Sequence, residues 1–296
     1  MDYVISTIKE IISNNQHLFL FIKYTVVAFS FYFLLNVVYN NSQHIFLIFS
    51  ENLFFGTLTI LFCSIIYVFL LLILANSWKC ILNFLENEII NTAVVSVYLK
   101  SQIYKYLPGN IFHYVNRQAS ASQLVISHKS LFKSSFFEAF SLIISAILCS
   151  ILIIDNSLIR VGIISSYFLF LLFFYSRNRR LVKTIQLSQV YYLVYFICIG
   201  VICFLVTQVL EVQNLVITSC IAIYALSWLA GFIIPGAPGG LGVRESVFIL
   251  LSSSQINSAL AITIIATMRI ITTLGEFIAY FVPSLIHLPQ SDTLDS

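Results

Sequence analysis

Seven stretches of this chain are apolar for about the length of a bilayer-crossing helix, and no other feature limits its fold as strongly. They lie at residues 18–39, 53–75, 136–154, 158–176, 190–210, 214–234 and 256–282. A hydrocarbon core about 30 Å thick takes roughly 20 helical residues to cross, so each stretch is expected to be a transmembrane helix. Apolar and polar residues do not alternate within them, which argues against a membrane β-barrel. The expected fold class is an all-α integral membrane protein: one polytopic domain over residues 1–296, with no soluble domain. Composition agrees, since 59% of residues are hydrophobic and 9% charged, against about 25% charged in soluble domains.

The N-terminus is not expected to be a cleavable signal. Asp2 and Glu10 spoil a basic leader, and no small-residue cleavage site follows the first apolar stretch. The six cysteines form no Cys-x-x-Cys and no Cys/His cluster, so they read as small packing residues; neither a metal nor a disulfide framework is expected. A net charge of +3 without a soluble basic domain makes nucleic acid a poor partner.

Orientation follows from Lys and Arg, which accumulate in short cytoplasmic loops. Lys79, Lys100, Lys105, Arg117, Lys129 and Lys133 fall between the second and third stretches, and Arg177, Arg179, Arg180 and Lys183 after the fourth. Residues 40–52 contain neither, and the turn at 211–213 offers only Glu211. The N-terminus is therefore expected in the cytoplasm and the C-terminal tail outside.

Two places interrupt the apolar pattern. In "AVVSVYLKSQIYKYLPGNIFHYVNRQA", an apolar half-helix is expected up to Tyr106, broken by Pro108 and Gly109, with a second short helix starting at Asn110, a favoured N-cap residue. Asn110, His113 and Arg117 then share one face, on a segment expected to enter the membrane and turn back. In "IIPGAPGGLGVRES", Pro235, Gly236, Pro238, Gly239, Gly240 and Gly242 precede the helix "VRESVFILL". Pro108-Gly109 lies nine residues before Arg117, and Pro235-Gly236 nine before Arg244. The pairing is an internal repeat or a coincidence. Paired broken helices with the site between them are a recurrent transporter device.

A Gly-rich turn leading into a helix points free N–H groups one way and adds the positive end of the helix dipole, which makes it an anion receptor. Arg244 adds a guanidinium fork suited to phosphate, and Arg117 a second from the other window. His113 reads as a hydrogen-bonding residue of the same site. The competing explanation is that the glycines let helices pack closely while the arginines snorkel to headgroups.

The stretches "KYLPGNIFHYVNR" and "PGAPGGLGVRE" resemble the two signature motifs of the flippase-like transmembrane domain of lysylphosphatidylglycerol synthases, the multiple peptide resistance factors. Free-standing bacterial and archaeal proteins of about this length share that domain. The resemblance covers most of the chain in length and hydropathy, with its specific part in those two motifs, where Arg117, Arg244 and Glu245 match position by position. It implies an inner-membrane protein that moves an anionic phospholipid or lipid-linked intermediate between leaflets. The chain ends fourteen residues after the last apolar stretch, so the aminoacyl-transfer domain of those synthases, and with it synthesis of lysyl-lipid, is not expected.

Arg269 and Glu276 lie seven apart in the last stretch, hence on one face. A charge at the bilayer centre costs about 2.5–3.5 kcal/mol on insertion scales, so mutual or third-party pairing is expected; they gate a cavity or form a structural ion pair. Glu138 either neutralises Arg117 or Arg244 or sits at headgroup level. Enzymatic chemistry needs a nucleophile, a base or a carboxylate-bound metal. The chain has no Asp-rich metal motif, no Gly-x-Ser-x-Gly and no P-loop, so transport is favoured over catalysis and no cofactor is expected. The alternative is a non-transporting membrane partner of a glycosyltransferase or other envelope-biosynthesis enzyme.

Overall fold

The computed structural model describes residues 42–86, 93–106, 112–120, 124–154, 156–175, 179–234, 238–240 and 242–285. These residues form α-helices and short 3-10 turns, with no strand among them. In chain order the α-helices are α1 (Ser42–Glu86), α2 (Ala93–Ser101), α3 (Phe112–Ala119), α4 (His128–Ser150), α5 (Ser157–Tyr175), α6 (Arg179–Val209), α7 (Ile217–Ile233), α8 (Val243–Ser252) and α9 (Ser258–Leu285). A 3-10 turn, Gln102–Tyr106, continues α2, and another, Pro238–Gly240, precedes α8.

Among the described residues four segments are long and apolar enough to cross a membrane: Phe55–Glu86, His128–Ile153, Arg179–Val209 and Ser258–Leu285; Ile217–Ile233 is a shorter apolar helix. The expected stretches at 53–75, 136–154, 190–210 and 256–282 coincide with those four to within one or two residues at one end. The one at 158–176 coincides with α5 and the one at 214–234 with α7. The stretch at 18–39 lies outside the described residues. The chain is therefore an all-α membrane protein, and its faces are divided as lipid requires. Phe55, Leu58, Phe62, Ile65 and Phe69 line the exposed side of α1, whereas Ser64, Tyr67, Ser77 and Trp78 on the same helix are buried. Lipid solvates aliphatic side chains as well as a protein core does, so polar groups and close backbone contact hold such a bundle together.

Helix α1 packs against α9, α6, α4 and α2, and α7 packs against α6, α4 and α8. Glycine permits two of these crossings. A Cβ on Gly200 of α6 would lie 2.5 Å from the Ile221 Cα of α7, and one on Gly275 of α9 would lie 2.6 Å from the Tyr67 ring and 2.9 Å from the Ser64 carbonyl of α1. The second approach brings Tyr67 against the residue after the glycine, Glu276. Side-chain caps fix the helix starts: the Ser127 hydroxyl accepts from the Ser130 amide at 3.2 Å to begin α4, and Asn257 Oδ1 accepts from the Leu260 amide at 2.8 Å to begin α9. All six cysteines are free.

The two interrupted windows are short elements against the long helices. The half-helix expected to end at Tyr106 is α helical to Ser101 and 3-10 to Tyr106, and the following helix is described from Phe112. Pro108, Gly109 and Asn110, with the expected cap, lie outside the described residues, as do Pro235 and Gly236. The helix after the second window starts at Val243, as its sequence suggests, on Gly242 at φ 77°. The two 3-10 turns touch each other, and the first also touches α9.

Candidate functional site

Where the interrupted windows meet the long helices, four cations and three carboxylates share the interior. Arg117 of α3 is 1% exposed and pairs with Glu138 of α4, 2% exposed. Its Nε donates to the Ser101 hydroxyl at 2.9 Å. The guanidinium lies 4.0 Å from the Tyr98 ring centre, 4.9 Å from Trp78 and 5.5 Å from Tyr114. Glu138 accepts a second bond, from the Tyr98 hydroxyl at 2.9 Å. Trp78 in turn is pinned by its Nε1 donating to Ser134 at 2.9 Å. A buried pair of this kind holds only if its remaining donors and acceptors are satisfied, and the aromatic box with Ser101 and Tyr98 does this. Of the two readings of Glu138, the side chain takes the first, on Arg117.

Arg269 and Glu276 do not pair with each other. Seven residues of helix separate them by about 10 Å along the axis, so each reaches sideways to another element. Arg269 Nε donates to Glu245 Oε1 at 2.7 Å, and its Nη1 to the Gly239 carbonyl at 2.9 Å. Glu276, fully buried, pairs with Lys105 and accepts from the Tyr67 hydroxyl at 2.9 Å and from Tyr106 at 2.7 Å. Tyr106 also bonds Thr273 at 2.9 Å. At Gly239 the glycine turn thus presents a carbonyl to a cation, rather than an N–H to an anion.

Arg244 is the cation left over. Its Nε is enclosed and has no hydrogen-bond partner, and it makes no ion pair among the described residues. Its guanidinium stands 5.6 Å from the Trp228 ring centre. The glycines shape the slot it occupies: a Cβ on Gly231 would lie 2.4 Å from Arg244 Cγ, and one on Gly240 would lie 2.7 Å from Arg244 Nε and 3.0 Å from the Gly231 carbonyl. Gly239 and Gly240 also hold φ of 56° and 75°, values glycine adopts without strain. Gly242, exposed, meets nothing within 4 Å. Gly231→Ala is therefore expected to push the Arg244 stem out of its slot; loss of Trp228 quenching by the guanidinium, read as altered tryptophan emission in an otherwise normally melting protein, checks this.

Arg244, Arg117, Lys105, His113 and Glu138 line one cavity with Tyr67, Tyr98, Tyr195 and Trp228. Its free space is about 60 Å³. The structure thus brings together Arg117, Arg244, His113 and Glu138. It sets Glu245, Arg269 and Glu276 beside them as paired supports. His113 Nδ1 is buried without a partner among the described residues, and its ring lies 3.9 Å from that of Tyr114, tilted by 41°. Sequence reasoning used Lys105 only as an orientation signal and passed over Tyr67, Tyr98, Tyr106, Trp78 and Trp228. One sign was available: Tyr98, Gln102 and Lys105 fall at i, i+4 and i+7, a polar stripe on an apolar segment. Among the described residues no group of His, Cys, Asp and Glu is arranged to hold a metal. No protein-family model and no curated protein sequence matches the chain.

Proposed function

We propose that this chain is a flippase-like lipid translocase that takes the phosphate of an anionic phospholipid, or of a lipid-linked intermediate, into the cavity beside Arg244 and passes it between leaflets while the acyl tails stay in lipid. The observation that carries the reading is the uncompensated charge of Arg244, half-buried with its Nε enclosed: Lys105, Arg117 and Arg269 each have a carboxylate, and Arg244 has none among the described residues. An unpaired charge taken out of water is penalised by several kcal/mol, and an arriving phosphate removes that penalty through a bidentate, charge-assisted contact. Irregular backbone is tolerated at membrane depth only inside protein or against a cavity. Read as re-entrant segments and as a pair of repeats, the two windows would need that setting, and the described turns beside the breaks, Gln102–Tyr106 and Pro238–Gly240, touch each other in the bundle.

In this reading the seven stretches are seven spans, the N-terminus is cytoplasmic and the membrane is the inner one. The match of Arg117, Arg244 and Glu245 to the flippase-like domain of lysylphosphatidylglycerol synthases belongs to the same proposal. A cavity of about 60 Å³ holds a few waters, so a headgroup enters only when the short elements move off the long helices. Arg117 reaches the phosphate by releasing Glu138; Arg244 needs to release nothing.

The test is reconstitution. Liposomes containing the protein are expected to exchange a fluorescent phosphatidylglycerol between leaflets faster than empty liposomes, without nucleotide. An enzyme would instead change the lipid's mass. A non-transporting partner of an envelope-biosynthesis enzyme would do neither, and exchange no faster than in empty liposomes would contradict the proposal.

A further inference from the structure

After Arg244, Lys105 is the cavity cation with the fewest ties. Arg117 is boxed by three rings, Ser101 and Glu138, and Arg269 is fixed by Glu245 and the Gly239 carbonyl. The Lys105 ammonium has the Glu276 carboxylate and, 5.6 Å away, the Tyr106 ring. Its side chain is 18% exposed where that of Glu276 is 1% exposed, and it lines the cavity that Arg244 lines. Glu276 depends on it less than an isolated carboxylate would, because Tyr67 donates to one oxygen and Tyr106 to the other. A lysine is a point charge on a flexible stem, able to exchange partners without the geometric match a guanidinium requires.

We infer that Lys105 is a second phosphate ligand held in reserve on Glu276: when a phosphate anion settles against Arg244, the ammonium swings across the cavity to it and leaves Glu276 to the two phenols. This rests on the reading of the cavity as an anion site and names the residue that completes it. With no anion between them, Lys105 and Arg244 repel, and Glu276 neutralises the one that is free to move. With an anion present, both cations are attracted to the same group. Glu276 therefore competes with the ligand, which a merely structural partner of Lys105 would not do.

The test is titration of the detergent-solubilised full chain with mixed micelles containing phosphatidylglycerol and, in parallel, with inorganic phosphate, followed by tryptophan emission, since one of the two tryptophans, Trp228, faces Arg244. Lys105→Met is expected to weaken binding about tenfold, the low end for a charge-assisted bond. Glu276→Gln is expected to tighten it by roughly three- to tenfold, by freeing the competent arrangement. The double variant, which leaves neither partner charged, is expected to bind as weakly as Lys105→Met alone, because the gain from Glu276→Gln passes through Lys105. If Glu276→Gln does not fold, the Lys105→Met and double variants still decide: equal, weakened binding supports the inference.

Wild-type binding by Lys105→Met, or a gain from Glu276→Gln that survives in the double variant, overturns it. Arg244→Gln separates the two levels. Loss of binding there with normal binding by Lys105→Met defeats the reserve role alone, whereas normal binding by Arg244→Gln defeats the anion site itself. The same rank order with inorganic phosphate identifies free phosphate as sufficient, and the order with lipid only identifies the anchored headgroup as the ligand; absence of the order in both arms contradicts the inference.

Discussion

Arg244→Gln is expected to weaken phosphatidylglycerol binding by about one to two orders of magnitude while the protein melts no lower than wild type. The binding loss follows from a charge-assisted contact worth roughly 1.5–3 kcal/mol, and tenfold corresponds to about 1.4 kcal/mol. The unchanged melting follows from the environment: among the described residues Arg244 has no carboxylate to abandon and no hydrogen bond from Nε to lose. Removing an unpaired charge from a half-buried site relieves part of its desolvation penalty. Arg244→Lys is expected to restore binding in part, since it keeps the charge and loses the fork. Titration by tryptophan emission and thermal unfolding in detergent measure the two quantities on the same samples.

Arg117→Gln is expected to behave in the opposite way, with a loss of stability of about 3–5 kcal/mol, the usual result of stranding one member of a buried pair. Glu138 would be left 2% exposed with only the Tyr98 hydroxyl as donor, and the aromatic box would lose its guanidinium. Adding Glu138→Gln to make Arg117→Gln/Glu138→Gln is expected to recover most of the melting temperature, because no charge is then stranded. A single variant as stable as wild type would show that the pair is not the fastening described here. The contrast between the two arginines is the useful part: one is fastened to a carboxylate, and the other has none among the described residues.

The sequence foretold the architecture better than the site. Uninterrupted apolar runs specify helices because each must satisfy its own backbone in lipid; the run at 53–75 lies inside α1, and that at 256–282 coincides with α9 but for its first two residues. The breaks were readable for a related reason, as Pro and Gly are the residues that end a helix. Arg244 stood out as a full charge after a glycine turn. The partners were not readable. Arg117 and Glu138 are 21 residues apart, Arg269 and Glu245 24, and Lys105 and Glu276 171; such pairings are decided by which helices cross, and the crossings depend on single small residues such as Gly200 and Gly275. Periodicity correctly put Arg269 and Glu276 on one face of α9, both buried, but a shared face two turns apart does not make a pair. The glycines in and beside the second window illustrate the same limit: alone they read as a packing device, and as part of an anion site only together with Arg244 and Arg117; Gly231 and Gly240 do pack closely, with the Arg244 side chain as the object they pack around.

Native mass spectrometry of the protein released from detergent tests the central claim most directly, because it asks whether Arg244, the cavity cation without a carboxylate among the described residues, holds an anionic lipid. Wild type is expected to carry a bound phospholipid of phosphatidylglycerol mass or of another single-phosphate headgroup, and Arg244→Gln, equally folded, to lose it. Equal occupancy by anionic lipid in the two proteins would contradict the account.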